Sequence, residues 1–433
     1  SLTYHRFAID SSAVRSEAET LIANVASHPR IKVLTHALCN GWFTDHYLPV
    51  IHGDRLLKVR AKSCVLATGS SEQHVVFRNN DLPGVVLCSA LERLINHYAV
   101  GPQGELVVLA GNDQAWMTAL TAAEAGLSVA AVVDLRDAPD DAVLLTKANE
   151  RGMTVHMGAT VYTARRSAGS QSLSGVDIHR IDAQGEVGEL IAQHDCAVLA
   201  MSAGFMPAYQ LACQAGAKLD YDDDRAAFTL SGLPAGLLLA GSVNSTHSLD
   251  AVLADGRNAA RGALRSIGVT TEEDESVTCA AQVNHPWPLF PHPKGREFVD
   301  FDEDLQIKDI VNATRLGYRD VQLVKRYSTV GMGPSQGRHA ALPTARLVAK
   351  ATERTVSETG VTTARPPVKP EALGHIAGRR FHPHRHTAIA DGHDAAGAQW
   401  MPAGLWRRPA FYGEPADKLR RVAEEVTAVR TGV

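Results

Sequence analysis

No two cysteines in this chain form a C-x-x-C pair. The six that occur (Cys39, Cys64, Cys88, Cys196, Cys213 and Cys279) are scattered. That argues against disulfides, thiolate-held zinc or an iron–sulfur cluster, and it fits a reducing cytoplasm. No apolar run reaches the ~18 residues that a transmembrane helix needs, and no signal peptide is visible. A formal net charge of −4 gives no reason to expect nucleic acid or an acidic membrane surface as a partner. A nucleophile elbow, an H-E-x-x-H pair, a Walker loop and paired catalytic carboxylates are also missing, so no residue is assigned a catalytic role. His382, His384 and His386 alternate, but no cysteine or carboxylate pattern accompanies them and Pro383 breaks their ladder. They read as a surface loop, and no metal ligand is assigned.

What is present is an ordinary α/β composition, 45% hydrophobic and 21% charged over 433 residues, enough for two to four domains with their own cores. Ser1 is not an initiator, and a helical pattern over 415–430 runs out at Val433; the chain reads as an interior piece of a longer polypeptide. Residues 14–27 are expected to form an amphipathic helix, while 31–33 and 42–51 alternate as a β-meander does. Lys62–Gly69 reads as a buried strand ending in Ala67, Thr68 and Gly69, small residues that let backbone approach a ligand. Taken alone, a strand that simply turns at Gly69 explains it equally well. Later, the apolar run 237–240 leads into Gly241, Ser242 and Val243 and a helix through Ala263.

Between those strands lies a second βαβ unit: strand 105–110, helix 114–125, strand 129–133 ending at Asp134, about where a ribose-binding carboxylate would stand. Its loop carries Asp113 and Trp116 where the second and third glycines belong. A carboxylate repels pyrophosphate, and an indole obstructs close helix–strand packing. This site is therefore expected to be empty, with Asp134 a strand-end cap. The proline-rich runs 285–293 and 362–370 read as connectors; a polyproline ligand for a partner domain is the alternative for the first.

The two halves of the chain meet in residues 298–340. After an acidic opening, Ile307, Ile310, Val311 and Thr314 share one helical face. Gly317 stops that helix, a second short helix carries Lys325 and Arg326, and Gly331, Gly333 and Gly337 make a tight turn. The acidic residues 300, 302, 303 and 304 suit a helix N-terminus. The stretch resembles the small helical domain of bacterioferritin-associated ferredoxins, where C-x-C-E-E and G-M-G-P-C-Q-G-R-x-C hold an iron–sulfur cluster. Here the four cysteine positions are Asp300, Asp302, Ser335 and Ala340. Cluster irons want thiolates, so the scaffold is kept and the cluster lost. With that loss, FVDFDEDLQIKDI and VKRYSTVGMGPSQGR resemble the sarcosine oxidase α-subunit family, and the likeness extends more weakly over nearly the whole chain.

The resemblance implies an α/β fold of the two-dinucleotide-binding-domain flavoprotein type. A partial first domain (1–100) would hold an inserted, degenerate second one (101–200) and resume over 201–268. A linker (269–297), the cluster-less helical module (298–360), a second linker (361–386) and the start of an aminomethyltransferase domain (387–433) would follow. Ala67, Thr68, Gly69, Gly241, Ser242 and Val243 are carried over as nucleotide contacts. Ser242 stands where an Asp usually meets the ribitol of FAD, and the resemblance implies NAD here instead. The G-x-G-x-x-G loop is absent from residues 1–66 and would lie upstream, leaving half an NAD site. FMN is implied at the interface with a β subunit, with Lys325, Arg326 and Thr329 toward its phosphate and Gly331 to Gly337, Gln336 among them, toward its ring. A solvated helix end explains Lys325 and Arg326 as well. The β subunit would hold FAD, tetrahydrofolate would sit beyond the C-terminal end, and small γ and δ subunits would complete the assembly. The reaction so implied turns the small amine sarcosine into glycine, hydrogen peroxide and methylene-tetrahydrofolate. Two alternatives stand: the α subunit of a related amine, opine or proline dehydrogenase, and a non-catalytic assembly scaffold.

Overall fold

The computed structural model describes residues 11–167, 169, 171–182, 184–277, 284–377 and 383–432. Cys279 and His382 lie outside these residues. Two compact units divide the chain, Ser1–Glu371 and Ala372–Val433.

The first unit opens on α1 (Ser11–Ser27) and an antiparallel meander of β1 (Ala37–Cys39), β2 (Tyr47–His52) and β3 (Arg55–Arg60). Residues 31–33 are not a strand. The meander is completed by β3, because Gly53 at φ +62° turns the chain back in a two-residue loop. Next come β4 (Cys64–Leu66), β5 (Ser70–Gln73), β6 (Val85–Leu87) and α2 (Cys88–Tyr98). The inserted unit follows: β7 (Leu106–Ala110), α3 (Asp113–Glu124), β8 (Val129–Asp134), α4 (Ala142–Glu150) and β9 (Thr154–His156). An antiparallel sheet of β10 (Ala159–Arg166), β11 (Leu173–Ile181) and β12 (Val187–Asp195) covers it, and β13 (Val198–Ser202) returns to pair between β6 and β7.

The parallel sheet has the order β6-β13-β7-β8-β9. Its central strand β7 shows why the sequence reads as a continuous apolar run. Val107 and Leu109 face the core shared with β10–β12, while Leu106, Val108 and Ala110 face α2, α3 and α4. Side chains alternate every second residue, and here both faces are covered.

Beyond β13, β14 (Gly204–Pro207) pairs antiparallel with β5, and α5 (Gln210–Ala215) leads to a hairpin of β15 (Lys218–Asp222) and β16 (Ala227–Ser231). Then β17 (Leu237–Leu239) lies parallel to β4, Leu237 opposite Cys64 and Leu239 opposite Leu66, before α6 (Leu249–Ser266). The expected returning strand therefore does sit beside the strand that ends in Ala67. The proline-rich run after α6 is neither helix nor inner strand, yet it is no loose connector. Leu289 and Phe290 are fully buried, and Phe290 N–H donates to the Val76 carbonyl at 2.7 Å.

The helical module contains β18 (Phe298–Asp300), β19 (Leu305–Gln306), α7 (Ile307–Arg315), α8 (Val321–Ser328) and α9 (Ala341–Thr352). Val299, Ile310, Ala313, Val324, Ala340 and Val348 form its core together with Val76 and Leu289. Arg346 of α9, 2% exposed, donates to the carbonyls of Ala226 and His285 and so ties the module to the nucleotide-type domain. One expectation is corrected here. The acidic residues 300–304 do not precede a helix directly: α7 starts at Ile307 on a Gln306/Asp309 capping box, and Asp300 lies in β18. A short α10 (Val356–Thr359) ends the module.

The second unit holds α11 (Leu373–Ile376), α12 (Ala390–Ala395), a hairpin of β20 (Ala398–Ala403) and β21 (Trp406–Tyr412), and α13 (Lys418–Thr431). The Trp400 indole donates to Asp394 at 2.7 Å, and Phe411 is buried.

Candidate functional site

At the carboxyl ends of β4 and β17 two small-residue turns stand side by side. Ala67 and Thr68 are exposed. Gly69 has φ +79°, and the only atom a Cβ there would meet is Ser242 Oγ, at 3.7 Å. That leaves open space over the backbone, as a nucleotide needs. Thr68 Oγ1 donates to the Ala208 carbonyl at 3.1 Å, fixing the turn against β14. The second turn is a single 3₁₀ turn, Gly241–Asn244, held by a residue the sequence reading missed. Buried Asp255 of α6 accepts Gly241 N–H at 2.7 Å and Asn244 Nδ2 at 2.9 Å. Gly241 N–H is thus already used, and Val243 is fully buried in the core. Only the backbone of Val243 is left for a ligand; its side chain cannot serve as a contact, because it packs with Leu66 and Leu239.

Beside Thr68 opens a cleft of about 360 Å³ in which Thr68, Ser70, Ser71, Gln210, Arg338 and Lys369 share the lining with apolar residues such as Leu38, Leu211 and Val368. Hydroxyls and two cations over an apolar floor suit a ligand with an anionic group. Arg338 and Lys369 come from the module and the segment after it, far away in sequence, which is why no local motif revealed them.

The loop after β7 is filled by the protein itself. Trp116 is fully buried and donates its indole N–H to Asp134 at 2.6 Å. Arg136 bridges Asp134 and Asp113 at 2.9 and 2.8 Å, and Asp113 also accepts the N–H groups of Asp140 and Asp141. Burial pushes the Asp134 carboxyl above its usual range, against the pull of Arg136. The acids therefore spend their acceptors on an internal arginine and on backbone. The indole does not hold helix and strand apart, as the sequence suggested; it packs between them with Leu106, Val108 and Ala119.

In the helical module three of the four positions compared with cluster cysteines, Asp300, Asp302 and Ser335, are joined by hydrogen bonds. Asp300 is fully buried; its Oδ2 accepts Gly331 N–H at 2.7 Å and its Oδ1 accepts Asp302 N–H at 2.9 Å. Asp302 Oδ2 accepts Ser335 N–H at 2.8 Å. Ala340 is fully buried in the module core. Burial acts to raise the Asp300 carboxyl, but hydrogen bonds from His339 and Gly331 outweigh it and hold the group below its usual range. Two carboxylates thus take up amides of the glycine-rich loop. The cavity left between Gly331, Gly337, Ala340 and Thr362 is about 10 Å³, room for about one water.

Of the residues expected near a flavin, Arg326 and Thr329 are exposed and Lys325 is half-buried at the end of α8. Burial and the neighbouring Arg365 charge lower the Lys325 ammonium. Among the described residues neither Lys325 nor Arg365 makes an ion pair, and each lies within reach of the other's charge. Thr329 sits at φ +69°, unusual for a β-branched residue, and its hydroxyl donates to Glu303 at 2.9 Å. Gly331 is buried, with Gly337 Cα 3.3 Å from where a Cβ would stand, and its N–H is taken by Asp300. Gln336 is half-buried at φ +54°.

Residues 294–379 match the sarcosine oxidase A3 domain family. Over 98% of its length the chain is 31% identical to the sarcosine oxidase α subunit of Rhizobium meliloti (strain 1021), covering 44% of that protein. It is 30% identical over 88% of its length to that of Corynebacterium sp. (strain U-96), covering 40%. The chain is a homologue of sarcosine oxidase α subunits. It spans less than half the length of these α subunits. An opine oxidase subunit of Rhizobium meliloti (strain 1021) is 25% identical over 75% of the chain and 78% of that protein. Among solved structures, L-proline dehydrogenase from P. horikoshii shares the fold, with a TM-score of 0.63 at 21% identity over 87% of this chain and 71% of that one. The α-subunit homology and that fold agree with the expected α/β class of dinucleotide-binding oxidoreductases. Among the described residues no helix is long and apolar enough to cross a membrane.

Proposed function

We propose that this chain is the nucleotide-binding and flavin-facing part of an α-type subunit of a cytoplasmic sarcosine-oxidase-like flavoenzyme. NAD lies over Ala67, Thr68, Gly69 and the backbone of Gly241, Ser242 and Val243, with its phosphates toward the cleft of Thr68, Arg338 and Lys369. The observation that carries this reading is the parallel pairing of β4 with β17. It sets two half-buried glycine turns side by side, the first of them bordering the cleft of Arg338 and Lys369. FMN is bound where a β subunit covers the module, its phosphate between Lys325, Arg365 and Arg326. The unpaired cations support that placement, since a phosphate would relieve their repulsion. The domain boundaries given above, the FAD-bearing β subunit, the small γ and δ subunits, and tetrahydrofolate in a domain begun by residues 387–433 belong to the same reading.

When bound, the flavins supply electron transfer from the amine to oxygen. This chain's residues hold, orient and screen. Thr68 and Gly69 give the nucleotide a close backbone, Arg338 and Lys369 balance its phosphates, and the closed module excludes water beneath the loop. The overall reaction is oxidative demethylation of sarcosine to glycine with hydrogen peroxide and methylene-tetrahydrofolate. The test is to co-express the full-length α chain with its partner subunits and release the bound nucleotides. NAD, FMN and FAD in equal amounts, with sarcosine-dependent peroxide, are expected. Iron with inorganic sulfide would instead favour a cluster-bearing dehydrogenase, and an α chain without nucleotide would refute the proposal.

A further inference from the structure

The cradle that replaces the cluster carries more negative charge than its surroundings compensate. Asp300, Asp302 and His339 bring two carboxylates and an imidazole within 4.8 Å of one another. Asp300 is fully buried. Among the described residues no lysine or arginine pairs with either acid; the one ion-pair contact is His339 Nε2 to Asp300 Oδ1, at 3.4 Å. That nitrogen is contested. Phe301 N–H points at it from 3.2 Å, while the Asp300 carboxylate also claims a proton on it. One nitrogen cannot accept from Phe301 and donate to Asp300 at once, so one of the two contacts goes unmet unless a cation lies near both acceptors.

A second observation comes from β5 and the loop after it. His74 is 2% exposed, and neither ring nitrogen has a hydrogen-bond partner. The Phe298 carbonyl pulls on it without closing a hydrogen bond. Its ring lies 5.8 Å from that of His339 and 5.0 Å from that of Phe301, within reach of the Asp300 charge. A buried imidazole with two idle nitrogens costs free energy unless something uses it. Asp300 accepts backbone amides through both of its oxygens and Asp302 through one, and each of these oxygens keeps a second lone pair.

We infer that Asp300, Asp302 and His339 bind one divalent first-row metal ion, with His74 as the next donor behind them. Two carboxylates and an imidazole suit zinc or manganese rather than iron–sulfur chemistry. The amides of Gly331, Asp302 and Ser335 hold the acids in place, as outer hydrogen bonds do at metal sites. The ion would pin the turn after β18 to the glycine-rich loop. This inference does not depend on where NAD or FMN binds.

The test uses the full α chain in its native assembly, stripped with chelator and dialysed. Zn²⁺ alone, and separately Mn²⁺ alone, is then added. Metal per chain is measured by mass spectrometry after gel filtration, and bound Mn²⁺ by electron paramagnetic resonance. Bound nucleotides are quantified on the same sample. One tightly held ion per α chain is expected. Asp302→Asn, which keeps the acceptor for Ser335, and His339→Gln should each weaken it by more than the ~10–100-fold that loss of an outer partner costs. His74→Phe should weaken it within that range. His156→Gln, at the His156–His194 contact of β9 and β12, should change nothing. An unmodified chain that takes up no ion would overturn the inference. So would full uptake by the Asp302 and His339 variants. Nucleotides retained without the ion would overturn this inference alone; the ion retained without nucleotides would overturn the proposed function alone.

Discussion

Glu72 offers a quantitative test of how the sheet junction is built. It lies on β5 where that strand meets the N-terminus of α2, 7% exposed. Its Oε2 accepts Ser89 N–H at 2.9 Å and the Ser89 hydroxyl at 2.5 Å. No lysine or arginine pairs with it among the described residues. Burial, only partly offset by the Ser89 and Ser202 hydrogen bonds, pushes its carboxyl up from 4.5 to about 7. A folded state that prefers the protonated acid is favoured at low pH. The contribution is complete below about pH 4.5 and is lost as pH rises through 7; above that a constant penalty remains. At 1.36 kcal/mol per unit the penalty is about 3 kcal/mol. Glu72→Gln keeps the acceptor for Ser89 and cannot ionise. Its melting temperature should match that of the unmodified chain near pH 5 and exceed it by about 6–12 °C at pH 8, taking about 2–4 °C per kcal/mol for a domain of this size. Scanning calorimetry between pH 5 and 8 reads the difference. An offset that is the same at both ends would refute the buried, proton-holding carboxyl.

Trp116→Phe removes the indole N–H from buried Asp134 and should destabilise the inserted domain by about 1–3 kcal/mol, measured by denaturant unfolding. Gly331→Ala sets a Cβ at φ +71° and 3.3 Å from Gly337 Cα. It should cost about 1–2 kcal/mol and lower the melting temperature of the module. Replacing Lys325 and Arg365 together by Gln should weaken FMN retention roughly 10–100-fold, the worth of a charged hydrogen bond, and leave NAD content unchanged. Arg338→Met should do the reverse, releasing NAD while FMN stays, as read by nucleotide analysis of the purified assembly.

Local features of this fold were legible because local physics dictates them. The apolar run of β7, the small residues after β4, the face of α7 and the stop at Gly317 all follow from periodicity and from glycine. What escaped was set by partners distant in sequence. Asp255 is one residue of an amphipathic helix until the fold brings it under Gly241. Arg136 is an exposed-looking cation until it bridges Asp113 and Asp134. Arg338 and Lys369 line a cleft whose other walls are built from residues far upstream. The acidic opening of the module was misplaced for a related reason. Sequence shows that carboxylates stand at 300 and 302, but not whether they face water or the amides of a loop some 30 residues later. The acids at 300 and 302 thus supply acceptors for Gly331 and Ser335. A buried acceptor with a waiting donor stabilises where one without would destabilise. That explains why the loop needs its glycines: Gly331 and Gly337 must approach each other closely for it to offer its N–H groups to Asp300 and Asp302.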